Sequence, residues 1–303
     1  MNMTEHTAPI RIGAIIPTFN RVASLQRLLG CLQQQVLRKH TIHLLPVVVV
    51  DGSTDGTLEM LAQAFPAAAV VRGDGNWWYT RCINEGIKAA RQLDCNFILT
   101  LNDDIHFSTN YVDTLVDDYF TSGPGSIIGS ISLSTGEPCL ITFSGVSKVN
   151  LALKEFNYIP KFSPVTAASL SGLLPSVVLS GRGILYPAEI FDRFGLYDER
   201  LVQYSSETDF TYTASANGVP VMISYNVRVY ENVQLTSAGA VYNNPSINSL
   251  IRSFRNKYSI NSIHKIRYYS IKHRGLVLGS MLTLLRTIGV IKNFALVKLK
   301  RKG

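Results

Sequence analysis

The sequence lacks the motifs that identify several common enzyme classes. It contains no Gly-x-Gly-x-x-Gly, no Walker loop, no Gly-x-Ser-x-Gly elbow and no His-Glu-x-x-His. These absences count against dinucleotide oxidoreductases, P-loop enzymes, common serine hydrolases and zinc proteases. A phosphate-bearing ligand would therefore have to be held by other kinds of loop.

Cysteine is scarce, and its spacing excludes two further classes. The four cysteines are widely separated and form no Cys-x-x-Cys pair, and the six histidines show no spacing typical of metal ligands. Neither a zinc site nor a disulfide framework is indicated. We expect free and mostly buried thiols.

The composition is that of a folded globular protein. Of the 303 residues, 46% are hydrophobic and 17% are charged. The first nine residues lack the apolar stretch of a secretory signal, so we expect a cytoplasmic protein, either free or peripheral at the cytoplasmic membrane. The formal net charge of +8 is concentrated near the C-terminal end.

The character of the chain changes after Asn243-Asn244-Pro245, where basic residues alternate with aromatic ones. We predict a domain over residues 1–245 and a basic, amphipathic, helical region over residues 246–303. The longest uncharged run there, Gly275 to Leu285, falls far short of the roughly 20 apolar residues that span a bilayer. Two interpretations remain open: a helix lying at the inner face of the membrane, or a helix pair packing on the protein's own core.

Apolar runs alternate with helical patterns over the first hundred residues. The runs Ile10–Ile16, Leu44–Val50 and Phe97–Leu101 are typical of buried strands, Ala68–Val71 is a further short strand, and helical spacing separates these four segments. This alternation predicts an α/β fold with a mostly parallel central sheet flanked by helices.

A polar loop follows each predicted strand. The loops are Pro17–Arg21, Asp51–Thr57, Gly73–Arg81 and Asn102–Asp104. The carboxyl ends of parallel strands form a ligand-binding edge, so adjacent carboxylates there are well placed to hold a divalent cation against a diphosphate. Asp51 could accept a hydrogen bond from a base N–H or a ribose hydroxyl. Arg81, at the start of a predicted helix, could bind phosphate together with the free N–H groups there. Alternatively, Asp103 and Asp104 merely cap the next helix.

Five motifs in order resemble those of family-two nucleotide-sugar glycosyltransferases of the GT-A fold, over about residues 10–235. They are Pro17-Thr18-Phe19-Asn20-Arg21, Val50-Asp51-Gly52-Ser53-Thr54-Asp55-Gly56-Thr57, Gly75-Asn76-Trp77-Trp78 with Asn84-Glu85-Gly86-Ile87, Leu101-Asn102-Asp103-Asp104, and Phe194-Gly195-Leu196-Tyr197-Asp198-Glu199 with Glu207-Thr208-Asp209. The Gly-Asn-Trp-Trp and Leu-Asn-Asp-Asp forms look like those of bacterial rhamnosyltransferases.

The resemblance implies a donor site at the strand ends, with Mg²⁺ or Mn²⁺ as cofactor. Its nucleotide and donor-binding residues would be Pro17, Thr18, Asn20, Arg21, Asp51, Ser53, Trp78, Arg81, Asn102 and Asp103. Asp104 would bind the metal, and Asn102 stands where the family often has another Asp. Glu231 occupies the position of a metal-binding His in many relatives, although a surface Glu is the simpler interpretation.

The implied reaction, inverting transfer to an acceptor hydroxyl, requires a base. Glu207 is our first choice and Asp209 our second, since relatives often read Glu-Asp-x-Asp where this chain reads Ser206-Glu207-Thr208-Asp209. Without the resemblance, both acids would simply favour the positive start of the helix predicted from Phe210.

The hypothesis is a membrane-associated, metal-dependent glycosyltransferase of bacterial cell-surface polysaccharide synthesis. It would move a sugar, rhamnose by preference, from a UDP- or dTDP-sugar to a glycan or lipid-linked glycan. Galactofuranosyl or hexosyl transfer is an alternative, as is a sugar nucleotidyltransferase. A basic nucleic-acid-binding protein using Arg252 to Arg274 is a further alternative, against which the acidic strand end argues.

Overall fold

A mixed β-sheet forms the centre of the protein, in a computed structural model that describes residues 9–165, 170–232 and 246–300. The strand order is β10-β12-β6-β11-β4-β1-β2-β3, with β5 paired to β12 and β7 to β6, and β8 pairs with β9 separately. The strands are β1 Ile10–Thr18, β2 Ile42–Asp51, β3 Ala69–Gly73, β4 Phe97–Thr100, β5 Ile105–His106, β6 Ile127–Ser134, β7 Ile141–Phe143, β8 Val146–Val149, β9 Glu155–Asn157, β10 Leu173–Pro175, β11 Ile184–Pro187 and β12 Val221–Glu231.

Helices cover both faces of this sheet, which confirms the predicted α/β class. The helices are α1 Val22–Gln33, α2 Thr57–Ala64, α3 Trp78–Gln92, α4 Tyr111–Ser122, α5 Ile190–Phe194, α6 Ser206–Ala216, α7 Ile247–Arg255, α8 Ile263–Arg274 and α9 Leu276–Lys300. The predicted domain boundary at residue 245 and the segment before Pro9 lie outside the described residues.

The central strands are hydrophobic on both faces because each face has its own core. Successive residues of a strand point to opposite sides, so Ile15 joins the core under α3 while Ile16 joins the core under α1 and α4. Helix α3 lies very close to the sheet at Gly86, where an added Cβ would stand 2.3 Å from Ile15 Cγ2. This close packing fixes the start of α3 above the carboxyl end of the sheet.

The carboxyl ends of the strands meet at one edge, as the sequence predicted. Strands β4, β1, β2 and β3 are parallel, so the loops after Thr18, Asp51, Gly73 and Thr100 lie on the same side. Strand β11 is antiparallel to both β4 and β6, and β12 is parallel to β6. The end of β12 and the turn before β11 therefore lie at this edge too.

Helix α6 begins four residues before the predicted start at Phe210. Ser205 adopts a left-handed backbone (φ +75°), and the helix then starts at Ser206. Thr80 of α3 lies 2.9 Å from Ser206 Oγ and also donates to the Leu201 carbonyl. The anchor for this helix start therefore comes from a residue far away in sequence, and Glu207 falls in the first turn.

The C-terminal helices differ in how they contact the rest of the chain. Helix α8 buries Ile266 and Tyr269, and Tyr269 joins Leu153, Leu201 and Leu282 in a small core. Helix α7 has no buried residue, and its Ile247 and Ile251 are exposed. Of the two interpretations left open by the sequence, packing on the protein's own core therefore applies to α8 and not to α7.

Helix α9 corrects the expectation drawn from the uncharged run. Its segment Leu276–Leu299 has the length and apolar composition of a membrane span, the single such helix in the described ranges, and it is largely exposed. Arg286 interrupts the sequence run, but it turns inward and donates to the Leu153 carbonyl at 2.7 Å. The longest uncharged run therefore underestimates the apolar surface of this helix.

Candidate active site

The first two loops are joined at the edge of the sheet by Asn20 and Ser53. The Asn20 N–H donates to Ser53 Oγ at 3.0 Å, and Asn20 Oδ1 accepts from the Thr54 N–H at 2.8 Å. Asn20 has a left-handed backbone (φ +52°), which Asn tolerates better than most residues. These two predicted nucleotide-binding residues thus hold one another in place, with Asn20 exposed.

Asp51 organises the third loop through three backbone hydrogen bonds. Its Oδ1 accepts from the Gly75 N–H at 2.8 Å, and its Oδ2 accepts from the N–H groups of Trp77 and Trp78, each at 3.0 Å. The carboxylate is 6% exposed. Gly52 and Gly75 permit this packing, because a Cβ on Gly52 would stand 2.7 Å from Gly75 Cα. The structure therefore gives Asp51 a positioning role that sequence reasoning did not foresee.

Trp78 lies between the donor-side loops and the C-terminal region. Its indole stacks on Tyr258, with ring centres 3.7 Å apart and planes inclined by 13°. Trp77 turns toward the core, and the Arg81 guanidinium lies 4.9 Å from the Trp77 ring centre. One face of Trp78 is thus covered by a residue that connects α7 to α8.

Arg21 joins the two acidic residues that follow β4. Its Nη1 lies 3.2 Å from Asp103 Oδ1 and 2.9 Å from Asp104 Oδ2. Thr18 at the end of β1 donates to Asp103 Oδ2 at 2.8 Å. Burial raises the pKa of Asp103 to about 6, although the charge of Arg21 opposes this shift. Pro17 lies within β1 and Asn102 follows β4, so the two motifs are neighbours.

Asp104 fits a cation that takes most of its ligands from a substrate. Its side chain is 17% exposed, and Asp103 is held beside it. Mg²⁺ in nucleotide sites is often bound through one or two carboxylates, with phosphates and water completing the shell. Among the described residues no group of three His, Cys, Asp or Glu side chains is arranged to hold a metal.

Glu231 lies beside this acidic pair but uses both oxygens elsewhere. Glu231 pairs with Ile105 in the sheet, next to Asp104. Its Oε1 accepts from Thr142 at 2.5 Å, and its Oε2 lies 2.9 Å from Arg182 Nε. Glu231 is buried, not on the surface as the simpler interpretation held. Its role as a metal ligand would require the pair with Arg182 to open.

Arg182 connects the acidic edge with Glu207. The turn that carries it is fixed by the Gly183 N–H, which donates to the Thr100 carbonyl at 3.0 Å. The positive charge of Arg182 also acts on the Glu207 carboxylate and opposes the rise of its pKa. The local sequence Ser180-Gly181-Arg182-Gly183 is typical of a tight turn but does not show which groups Arg182 contacts, so Arg182 was not assigned to the site from sequence alone.

Glu207 occupies a partly closed position beside Tyr79 and Gly181. A Cβ on Gly181 would stand 2.3 Å from Tyr79 Oη and 3.3 Å from Glu207 Cγ, so only glycine leaves room here. Tyr79 Oη is buried and has no hydrogen-bond partner in the described part of the chain. Burial raises the pKa of Glu207 above its ordinary value. A carboxylate with a raised pKa is a better proton acceptor near neutral pH.

Asp209 lies in the same helical turn but has a different environment. It is buried, with Oδ2 at 2.6 Å from Lys272 Nζ and Oδ1 at 2.8 Å from His273 Nε2. Both carboxylate oxygens are therefore engaged by α8. This pairing links the C-terminal region to α6, and we do not assign Asp209 to the reaction.

Comparison with known proteins identifies the part of the chain that forms these loops. Residues 14–157 match the family model described as glycosyl transferase family 2. This segment is similar to glycosyl transferase family 2 domains. The segment contains the loops of Arg21, Asp51, Trp78 and Asp104, whereas Arg182 and Glu207 lie beyond it. No sequence among curated proteins matches this chain significantly.

Solved structures share the fold over most of this chain. The crystal structure of GalNAc-T7 with UDP, GalNAc and Mn²⁺ has a TM-score of 0.60 at 14% identity, covering 92% of this chain and 54% of that one. S. aureus TarS has a TM-score of 0.52 at 16% identity, covering 87% and 43%. TarS 1–349 in complex with UDP has a TM-score of 0.51 at 15% identity, covering 88% and 72%. This chain thus spans about half the length of GalNAc-T7.

Proposed function

We propose that this protein is an inverting glycosyltransferase that uses a nucleoside diphosphate sugar. The observation that carries the proposal is the convergence of the acidic pair, Arg182 and Glu207 at one edge of the sheet, where the loops after β1, β2, β3 and β4 lie in the segment that matches the family 2 model. GalNAc-T7 and TarS, which share the fold, have been crystallised with UDP. A UDP- or dTDP-sugar is accordingly the donor class we assign.

In the proposed reaction Glu207 accepts the proton of an acceptor hydroxyl. The oxygen attacks the anomeric carbon from the face opposite the diphosphate, the bond from that carbon to the diphosphate oxygen breaks, and the nucleoside diphosphate leaves with the electron pair. Glu207 keeps the proton, and the configuration at the anomeric carbon inverts. A base placed in this way contributes about 10²–10⁴ to the rate.

Asp104, with Asp103 beside it, is assigned to hold Mg²⁺ or Mn²⁺. Such an ion supplies positive charge that stabilises the departing diphosphate. Arg21 holds the two carboxylates together before any ligand binds, and Arg182 adds a second positive charge at the same edge. Asp51 shapes the loop against which the nucleotide would lie.

The metal assignment is tested by titrating UDP into the protein with and without Mn²⁺. We expect Mn²⁺ to strengthen UDP binding to the wild type at least tenfold and to have little effect on Asp104→Asn. Asp94→Asn is the matched control, because Asp94 is exposed and lies in the loop before β4. Equal Mn²⁺ enhancement in wild type and Asp104→Asn would contradict the assignment.

We further propose association with the inner face of a bacterial cytoplasmic membrane and a role in polysaccharide synthesis, with rhamnose as the first donor sugar to test. Exposed apolar residues of α7 and α9 support the membrane contact, and Arg252 and Arg255 of α7 would meet anionic lipids. The acceptor would then be a glycan, free or lipid-linked. A panel containing dTDP-rhamnose and UDP-sugars distinguishes rhamnosyl from hexosyl or galactofuranosyl transfer. Release of pyrophosphate would instead identify a nucleotidyltransferase.

A further inference from the structure

A cavity of about 360 Å³ lies between α6, α8 and α9, beside the candidate base. Its lining includes Ser205 and Thr208, which lie on either side of Glu207 in sequence, together with Lys265 of α8 and Arg286 of α9. This volume is near the lower limit of small-ligand sites, which is about 300 Å³. The cavity is distinct from the donor-side loops, which are built by β1, β2, β3 and β4.

Two positive charges face this cavity without a carboxylate bound to either. Lys265 is 9% exposed, and its Nζ lies 5.6 Å from the ring centre of Tyr204. Arg286 donates to the Leu153 carbonyl at 2.7 Å. Within the ranges that the structure describes, neither cation forms an ion pair. Burial lowers the pKa of Lys265, and the nearby positive charge of Arg286 lowers this pKa further.

Burial of two like charges is unfavourable unless an anion accompanies them. The sole acid in the cavity wall is Glu155, which is near Arg286 but forms no ion pair with it in the described residues. Asn261 also lines the cavity. It is 8% exposed, and no hydrogen bond of its side-chain amide occurs within the described part of the chain. The cavity therefore presents cations and an unused amide to whatever enters it.

Lys265 is electrostatically coupled to the candidate base. Its positive charge opposes the rise of the Glu207 pKa, and Glu207 in turn opposes the fall of the Lys265 pKa. Burial lowers the Lys265 pKa to about 8, so the side chain is mainly protonated at pH 7. Glu207 itself does not line the cavity, but Ser205 and Thr208 do, so a molecule held by Lys265 would lie beside the first turn of α6.

We infer that this cavity is the acceptor subsite and that it binds a phosphate ester on the acceptor through Lys265 and Arg286. A phosphate monoester carries about −1.5 to −2 charge near pH 7, which matches the two cations better than a single carboxylate does. The ester would anchor the acceptor while its hydroxyl reaches Glu207. This inference rests on the proposed function.

The test measures binding of defined probes to the full chain by calorimetry. Glucose 1-phosphate represents a soluble sugar phosphate, farnesyl phosphate in micelles represents a lipid phosphate, and glucose is the neutral control. We expect at least one phosphate to bind the wild type, glucose not to bind, and Lys265→Met to weaken phosphate binding at least tenfold. Tighter binding of one phosphate probe than of the other shows whether the acceptor phosphate belongs to a soluble sugar or to a lipid.

Variants separate the cavity from general charge effects. Lys292→Met is the matched control, since Lys292 is exposed on α9, and it should bind phosphate as the wild type does. Lys265→Arg should retain most of the affinity, and Arg286→Gln gives an independent loss if Lys265→Met does not fold. UDP should bind Lys265→Met and the wild type equally.

Two results would overturn the inference while UDP binding persists. One is phosphate binding to Lys265→Met and Arg286→Gln with wild-type affinity. The other is the absence of phosphate binding to the wild type. Failure of the wild type to bind UDP would instead count against the proposed donor site.

Discussion

Asp51→Asn should destabilise the protein and weaken nucleotide binding together. The carboxylate accepts three backbone N–H groups at 2.8, 3.0 and 3.0 Å while only 6% exposed. An amide offers one oxygen, so either the Gly75 N–H or both Trp N–H groups would face an NH₂ group. One unsatisfied buried donor costs about 1–3 kcal/mol, and loss of charge assistance weakens the other bonds.

We therefore expect Asp51→Asn to lower the free energy of unfolding by about 2–4 kcal/mol in total. Part of this cost reflects Trp78, whose left-handed backbone (φ +58°) is held by its bond to Asp51. Urea denaturation followed by circular dichroism measures the change, and calorimetry with UDP measures the affinity. Asp74→Asn is the control, because exposed Asp74 belongs to the same loop and, among the described residues, its side chain accepts only from the Asn76 N–H. Wild-type stability with lost UDP affinity would refute the positioning role and indicate direct contact with the nucleotide.

Three further changes test other parts of the site. Arg182→Met should raise the Glu207 pKa further, because it removes a positive charge that lowers this pKa. The acidic limb of the pH–activity profile should then move to higher pH, and an unchanged limb would contradict the effect of Arg182 on Glu207. Tyr258→Ala should expose the indole of Trp78, and acrylamide should then quench tryptophan fluorescence more strongly than in the wild type; equal quenching would disprove the stack. Ile251→Asp on α7 should reduce sedimentation with anionic vesicles at least severalfold, whereas equal sedimentation would argue against membrane contact through this helix.

The sequence was sufficient to predict the sheet and the edge that carries the site. Buried runs such as Val47–Val50 have a periodicity that depends only on local sequence, and parallel order then brings the strand ends together. This rule placed the loops of Thr18, Arg21 and Asp103 at one edge, but their direct contacts also depend on β1 lying next to β4, which the sequence did not predict.

The partners of individual carboxylates were beyond sequence reasoning because they come from distant segments. Asp209 is paired with Lys272 and His273, and Glu231 with Thr142 and Arg182. A local pattern shows that an acid is present but not which cation folds against it. The same limit explains why the inward turn of Arg286 changed the interpretation of α9.

The roles of Arg182 and Tyr79 also depend on tertiary packing. Gly181, in the turn before β11, leaves room for Tyr79 Oη beside Glu207, and the charge of Arg182 in the same turn acts on the Glu207 carboxylate. The glycine-flanked turn was visible in sequence, but its target was not.

The most direct test of the account is nucleoside diphosphate release by Glu207→Gln. The assay supplies UDP- and dTDP-sugars together with a bacterial membrane lipid extract as acceptor, and Glu189→Gln is the control because Glu189 is exposed. We expect Glu207→Gln to lose about 10²–10⁴ in turnover while binding UDP as the wild type does. Turnover by Glu207→Gln equal to that of the wild type would contradict the central claim that Glu207 is the base.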